Sequence, residues 1–461
     1  MEGLEASVLS LTALADMNPS LRVDAEFFNR QSLQAIEQIR GRAHARLGDL
    51  CARIQHPIEV KRDYEDVGLL TVMAKNVRSN RTDMSDPRFM PESLRPVVSR
   101  NKLNSGDVLV TRTGANFGQV APWLSEEEAF ACADILVLRE PLLPTGYLSS
   151  FLESAKGKPL VLRGGYGAAQ PHIAPPYLSD MLVPRFGEIE VKVSRLVGLS
   201  VQREQSAFDT IKRAEEVLLD ALGLAGWTPP EPLSYSARAS DAFATGRLDA
   251  RFFAPRIQAL LDILARDRRS VSDLAAARHQ KFRPQDCVTF NYIEIGDIDG
   301  AGAVTSTPLA CAAAPSRATW HVRPDDIITS TVRPIRRLSA QIAPDQDGYV
   351  ASSGFVVINP QQIAPELLLT FLRLPVICEL LDIYASASMY PAVTEAHILG
   401  LPFPEIDAAV ETQVVVNIRD ARAAKDQAAH LLEVAKRAVE IAIEDGENEA
   451  MAFLDDSEGA E

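Results

Sequence analysis

Apolar and small residues recur every seventh position through two long stretches of the chain. Between Ile189 and Leu222 the series is Val193, Ser200, Ala207, Ala214 and Ala221, accompanied by Val197, Ile211 and Leu218. Between Val410 and Ile443 it is Val414, Ala421, Ala428, Ala435 and Ala442, with Ile418, Leu432 and Val439. Neither stretch holds a proline, and Gly198 is their only glycine. Heptads sustained this far predict two long helices meeting along a seam, each roughly 52 Å long at ~1.5 Å per residue. The seam position between Val197 and Ile211 is Glu204, and its counterpart between Ile418 and Leu432 is Lys425. Opposite charges near the middle predict antiparallel packing, with Glu204 and Lys425 close together as a salt bridge.

Elsewhere the apolar runs are short. Val108–Thr111, Ile135–Leu138, Tyr292–Ile295, Ile327–Thr331 and Phe355–Ile358 have strand length, and Gly, Pro, Asn and Asp separate them. That pattern predicts small, mostly antiparallel sheets with long loops. Helices are expected at about 25–40, 146–156, 250–266 and 365–383, and loops at 157–177 and 384–397.

The chain repeats itself. Arg22-Val-Asp-Ala-Glu-Phe-Phe28 returns as Arg247-Leu-Asp-Ala-Arg-Phe-Phe253, and Gly106-Asp-Val-Leu109 as Asp325-Asp-Ile-Ile328. Ile135–Leu138 returns as Phe355–Ile358, Phe151-Leu152 as Phe371-Leu372, Gln170-Pro-His-Ile173 as Tyr390-Pro-Ala-Val393, and Met181–Pro184 as Leu401–Pro404. All six matches keep their order at offsets between 219 and 225. A period this long means a duplicated domain, not a solenoid repeat. The predicted fold is α+β: two tandem domains with small mixed or antiparallel sheets, separated by two long helices forming an antiparallel coiled coil. The expected boundaries are 1–186 for the first domain, 187–223 for the first long helix and 224–246 for a linker. They continue with 247–404 for the second domain, 405–446 for the second long helix and 447–461 for an acidic, disordered tail.

Composition narrows the function. The 461 residues are 46% apolar and 24% charged, the mix of a folded globular protein. No apolar run reaches the ~18 residues of a membrane span, and Met1-Glu-Gly-Leu-Glu5 lacks the features of a signal peptide. Five scattered cysteines (51, 132, 287, 311, 378) without a C-x-x-C pair predict no disulfide framework, and point to a reducing cytoplasm. The net charge of −15 owes nine negative charges to the stretch after Arg437. Residues 71–120 reverse the sign, with eight bases against four acids. Local basic segments on an acidic body fit a DNA footprint.

Catalytic motifs are imitated without being completed. Ala174-Pro-Pro-Tyr177 resembles the Pro-Pro-aromatic loop of an adenine methyltransferase, but alanine stands where a polar side chain would hold the amino group. It reads as a proline turn entering a strand. Gly300-Ala-Gly302 lacks a Rossmann frame and reads as a hairpin turn. No histidine pair has metal-ligand spacing, and Asp325-Asp326 reads as a turn cap.

Two halves each closed by a long helix resemble the specificity (S) subunit of Type I restriction–modification systems. The resemblance covers roughly 20–445. It rests on Thr329-Ser-Thr-Val-Arg-Pro334, on Ala351-Ser-Ser-Gly-Phe-Val-Val357, on Gly106–Gly114 and on the closing run Ser206–Leu222. The first copy departs from the second at Cys132-Ala-Asp134, opposite Ser352-Ser-Gly354. The resemblance implies a non-catalytic subunit in which each half is a target-recognition domain for one half of a split DNA site. The helices would set the spacing between the half-sites. The implied partners are double-stranded DNA, two methyltransferase subunits and restriction (translocase/nuclease) subunits. S-adenosylmethionine would sit on the methyltransferase partners alone, with no cofactor or metal on this chain. A standalone adenine-N6 methyltransferase and a duplicated protein-interaction scaffold are the alternatives.

Base readers are donors and acceptors on loops: Arg and Lys for guanine, Asn and Gln for adenine. The first copy offers Lys75, Asn76, Arg78, Asn80 and Arg81, then Arg112, Asn116 and Gln119, then Arg163, Tyr166, Gln170 and His172. The second offers Lys281 and Arg283, then Arg333, Arg336 and Arg337, then Ser386, Ser388 and Tyr390. The glycines around Arg163 suit close approach to a phosphate.

Overall fold

The computed structural model describes residues 10, 12, 22, 24–61, 63–114, 116–167, 171–229, 231–298, 302–385 and 391–458. The chain forms two units. The first joins Met1–Gln205 to Ala424–Glu461, and the second is Ser206–Ala423.

Each unit is built on the same four-stranded antiparallel sheet. In the first unit, strands β1 (Cys51–Gln55), β2 (Asp107–Thr111), β3 (Val120–Trp123) and β4 (Ile135–Pro141) lie in the order β1-β4-β2-β3. In the second, β5 (Ala275–Ala277), β6 (Ile327–Ser330), β7 (Ser339–Gln341) and β8 (Phe355–Pro360) lie in the order β5-β8-β6-β7. The register is the same too: Leu109 faces Val137 and Ile328 faces Val357. A second small sheet in each unit carries the one parallel pairing, Leu69–Val72 with Phe130–Ala131 and Thr289–Ile293 with Val350–Ser352.

Strand alternation divides each main sheet between two cores. Val108, Val110, Leu136 and Leu138 point into the core shared with the helices, while Leu109, Ile135 and Val137 point into the core shared with the second sheet. Ile327, Val356 and Ile358 repeat the first role in the second unit, and Ile328, Phe355 and Val357 the second. A buried aspartate opens the central strand in each copy. Asp107 accepts a hydrogen bond from the Asn104 amide (2.8 Å) and pairs with Arg139. Asp326 accepts from the Arg323 amide (2.8 Å) and pairs with Arg278 at 2.7 Å. Turn capping is therefore the role of Asp326. Burial pushes both carboxyls above their ordinary range despite their arginine partners.

The heptad stretches are the helices Glu188–Leu222 and Ala408–Glu444. The division between the units falls inside both. In the first unit Val193 and Val197 share a core with Leu432, Ala435 and Val439, and Ser200 Oγ donates to the Ala428 carbonyl at 2.9 Å. Rising numbers on one helix meet falling numbers on the other, so the pair is antiparallel. In the second unit Ala214, Leu218 and Leu222 share a core with Val414 and Ile418.

Several expectations are corrected. Within the segment expected to be a disordered tail, Glu447–Glu458 is a helix, and its Ala450 and Leu454 are buried in the first unit's core. Four-residue spacing of these apolar positions overrides the acidic composition. The 157–177 stretch contains helices Gly157–Arg163 and Pro175–Asp180. Pro175 and Pro176 begin the latter because a first-turn residue needs no amide donor, so they do not form a turn into a strand. The single helix expected at 365–383 is two, Pro365–Arg373 and Pro375–Tyr384, since Pro375 biases Leu374 to extended backbone. Residues Ala239–Thr245 of the linker are helical. Finally, Cys287 and Cys311 form a disulfide with Cα atoms 6.0 Å apart. The two cysteines flank an antiparallel strand pair, Thr289–Ile293 with Thr307–Ala310, where the Cys311 amide donates to the Val288 carbonyl (2.9 Å), and sequence spacing does not reveal this.

Candidate nucleic-acid interface

The same clasp holds one loop in each copy. Leaving β2, the Arg112 amide donates to the Asp134 carbonyl (2.7 Å), and the Arg112 carbonyl accepts from the Ile173 amide (3.2 Å). Leaving β6, the Thr331 amide donates to the Gly354 carbonyl (2.9 Å), and the Thr331 carbonyl accepts from Val393 (2.8 Å). The Cys132-Ala-Asp134 departure therefore leaves the backbone geometry unchanged.

In the second unit the loop beyond the clasp is an arginine turn. Pro334–Arg336 is one 3-10 turn, flanked by Arg333 (φ +51°) and Arg337 (φ +59°), both left-handed. Such a backbone costs a non-glycine residue roughly 1–2 kcal/mol, so the surroundings must impose it. Buried Arg373 does so from below, its Nη1 donating to the carbonyls of Arg337 (2.8 Å) and Ser339 (2.9 Å). Arg337 pairs with Glu215 on the first long helix. The result presents Arg333, Ile335 and Arg336 to solvent. Lys281 and Arg283 are exposed on the same unit. Among the described residues, none of Arg333, Arg336, Lys281 and Arg283 forms an ion pair.

The first unit uses its candidates differently. Asn76 is buried: it accepts from the Met73 amide (2.8 Å) and donates to the Asp83 carbonyl (2.7 Å), holding a turn together. Asn80 is buried against Ser150 Oγ at 2.8 Å. Asn116 donates to the Ala74 carbonyl (3.2 Å) and accepts from Arg78 at 3.4 Å, leaving Arg78 exposed. Lys75 pairs with Asp86. Arg81 pairs with Glu204 on the first long helix at 3.2 Å, as Arg337 does with Glu215. Burial raises the Glu204 carboxyl above its ordinary range, while Arg81 and then Lys425 pull it down. Glu204 thus has Arg81 as its ion-pair partner and Lys425 within electrostatic reach. Arg112 is half-buried, Gln119 keeps a buried Oε1 without a donor among the described residues, and His172 forms a backbone bridge with Tyr166, whose ring is exposed. Arg163 is buried, with its guanidinium over the Phe27 ring. Gln170, Ser386, Ser388 and Tyr390 lie outside the described residues.

Sequence reasoning missed Arg373 and Arg278, the buried arginines that fix the loop and the strand opening. Arg373 sits in an apolar stretch, and Arg278 stands beside Lys281 and Arg283, where no local pattern separates a paired arginine from exposed ones. Tyr177 donates its hydroxyl to the Leu160 carbonyl, and among the described residues no His/Cys/Asp/Glu group could hold a metal.

No protein-family model and no curated protein matches the chain. Solved structures do. One is a Type I restriction–modification system S subunit from M. genitalium, 10% identical, covering 87% of this chain and 94% of that one at a TM-score of 0.39. The chain is similar to specificity subunits of Type I systems. A structure described as underlying complex assembly and conformational transition of the type I R-M system is 13% identical over 87% of this chain and 97% of that one, TM-score 0.28. The HsdS subunit from Thermoanaerobacter tengcongensis is 14% identical over 88% and 97%, TM-score 0.27.

Proposed function

We propose that the chain is the non-catalytic DNA-recognition subunit of a Type I restriction–modification complex, reading a bipartite site and docking methyltransferase and restriction subunits. The repeated clasp carries this reading. It presents one loop per unit from equivalent strands, and Arg81 or Arg337 ties each unit to the first long helix. Two copies of one reader joined by paired helices suit two half-sites at a fixed spacing. Direct readout falls to Arg333, Arg336, Lys281 and Arg283 in the second unit, and to Arg78, Arg112 and Tyr166 in the first. Asn76, Asn80 and Asn116 position these side chains. Glu204 and Lys425 act as charges that set the register of the seam. The cytoplasm is the compartment this function requires. Among the described residues no helix is long and apolar enough to cross a membrane.

Purified chain incubated with labelled S-adenosylmethionine and DNA should transfer no methyl group. Transfer should appear when the cognate methyltransferase subunits are added, and robust incorporation by this chain alone overturns the proposal. Salt-dependent DNA binding by the assembled complex separates it from a scaffold that never touches DNA.

A further inference from the structure

The duplication lets each unit serve as a control for the other. In the first, Arg22 pairs with Asp24 and donates through Nη1 to the carbonyls of Arg163 (3.0 Å) and Gly165 (2.8 Å). In the second, Arg247 pairs with Asp249 and donates through Nη2 to the Ile383 carbonyl at 2.7 Å. The repeat keeps an offset of 220 from Phe151/Phe371 to Ile173/Val393, so positions 163 and 383 are equivalent, and so are the next residues, Gly164 and Tyr384. The Tyr384 ring fills its space, stacking on His397 (5.4 Å) and lying 6.1 Å from Phe252. Gly164 fills nothing. A Cβ there would lie 2.2 Å from the ring of Tyr177, the counterpart of His397.

A cavity of about 500 Å³ occupies the first unit at this point. That is the size of an ordinary small-molecule site. Phe27, Ile36, Leu160 and Met181 supply apolar wall. Arg22, Arg40, Arg46 and Arg163 also line it, against one carboxylate among the described residues, Asp180, which Arg46 already pairs at 3.2 Å. Arg163 replaces an isoleucine of the other copy. It is only 8% exposed, its guanidinium carbon lies 3.7 Å from the Phe27 centroid, and its Nε and Nη2 are buried with no acceptor among the described residues. A buried guanidinium without an acceptor is costly unless an anion completes it.

We propose that this cavity binds a small organic anion, with its apolar body against Phe27 and Leu160 and its carboxylate, sulfonate or phosphate at Arg163. The assignment stands independently of DNA recognition. Calorimetry on the full chain with 1-naphthoate and its uncharged analogue 1-naphthamide tests it. Naphthoate should bind at least about tenfold more tightly than naphthamide, and Arg163→Met should abolish that preference. The triple variant Arg163→Ile, Gly164→Tyr, Tyr177→His transplants the second unit's filling. It should lose naphthoate binding while melting at or above the wild-type temperature. The charge preference needs no variant, so a folding failure leaves the test intact. Equal binding of the two naphthalenes, retained binding in a folded triple variant, or no millimolar binding of naphthoate, decanoate or phenyl phosphate overturns the proposal. Tighter binding of a peptide through a free C-terminal phenylalanine overturns the small-molecule assignment.

Discussion

The arginine turn Arg333–Arg337 separates two roles that composition alone would merge. Arg333 and Arg336 are exposed and free of ion pairs among the described residues, whereas Arg337 is fixed to Glu215. If the first two neutralise phosphates, Arg333→Ala/Arg336→Ala removes two released counterions, and the slope of log affinity against log salt should flatten by about 1.8. Raising salt from about 50 to about 200 mM should then shrink the wild-type advantage by about 12-fold. If either side chain also reads a base, the loss on the cognate site should exceed that on random DNA by about 1–3 kcal/mol per contact. Fluorescence anisotropy with a labelled duplex, on the assembled complex at several salt concentrations, gives both quantities. Arg337→Ala should instead lower the melting temperature, because Glu215 loses its partner. Parallel salt lines for wild type and the double variant would refute the assignment. So would an Arg337→Ala protein that keeps its stability while losing salt dependence.

Three further outcomes follow from buried groups. Arg139→Met leaves Asp107 uncompensated at 1% exposure and should cost about 3–5 kcal/mol in urea unfolding; a cost under about 1 kcal/mol contradicts the buried pair. Because burial raises the Glu204 carboxyl, the folded state holds that proton more tightly than the unfolded one, so the contribution of Glu204 to stability falls as pH rises above about 4.5. Glu204→Gln lacks this loss, so its stability relative to wild type should improve between pH 4.5 and 7, and a constant or declining difference refutes the burial argument. Leu454→Ala should cost about 2–5 kcal/mol in the first unit, and an unchanged melting curve would mean that the terminal helix is not docked.

The long helices were legible because a seven-residue period is a property of sequence, and the burial of Val193, Ala207, Ala214, Val414 and Ala435 follows it. The repeat was legible for the same reason. Asn76 and Asn116 were read as adenine readers because their chemistry suits both tasks, yet an asparagine amide also satisfies nearby backbone groups. Only the fold shows which partner it meets. Arg163 sits in a glycine-rich stretch that reads as exposed loop. Its burial depends on Phe27, more than 130 positions away, which no local pattern encodes. The terminal helix escapes a composition count because the six acids of 447–461 mask the apolar run Ala450–Leu454, whose Ala450 and Leu454 are buried in the core while Met451 and Phe453 pack against it.

The first unit takes its segments from both ends of the chain, and this places folding in time. A ribosome delivers Met1–Gln205 first, then the whole of the second unit, and only then Ala424–Glu461. At about 5–20 residues per second, the interval between Gln205 and Glu461 is roughly 13–50 s. Throughout it Val193, Leu196 and Val197 lack Leu431, Leu432 and Ala435, the residues that share their core. The unit begun second is finished first. The older half of the protein waits with an open apolar stripe, and ribosome-bound chains stalled before Ala424 should engage chaperones through it.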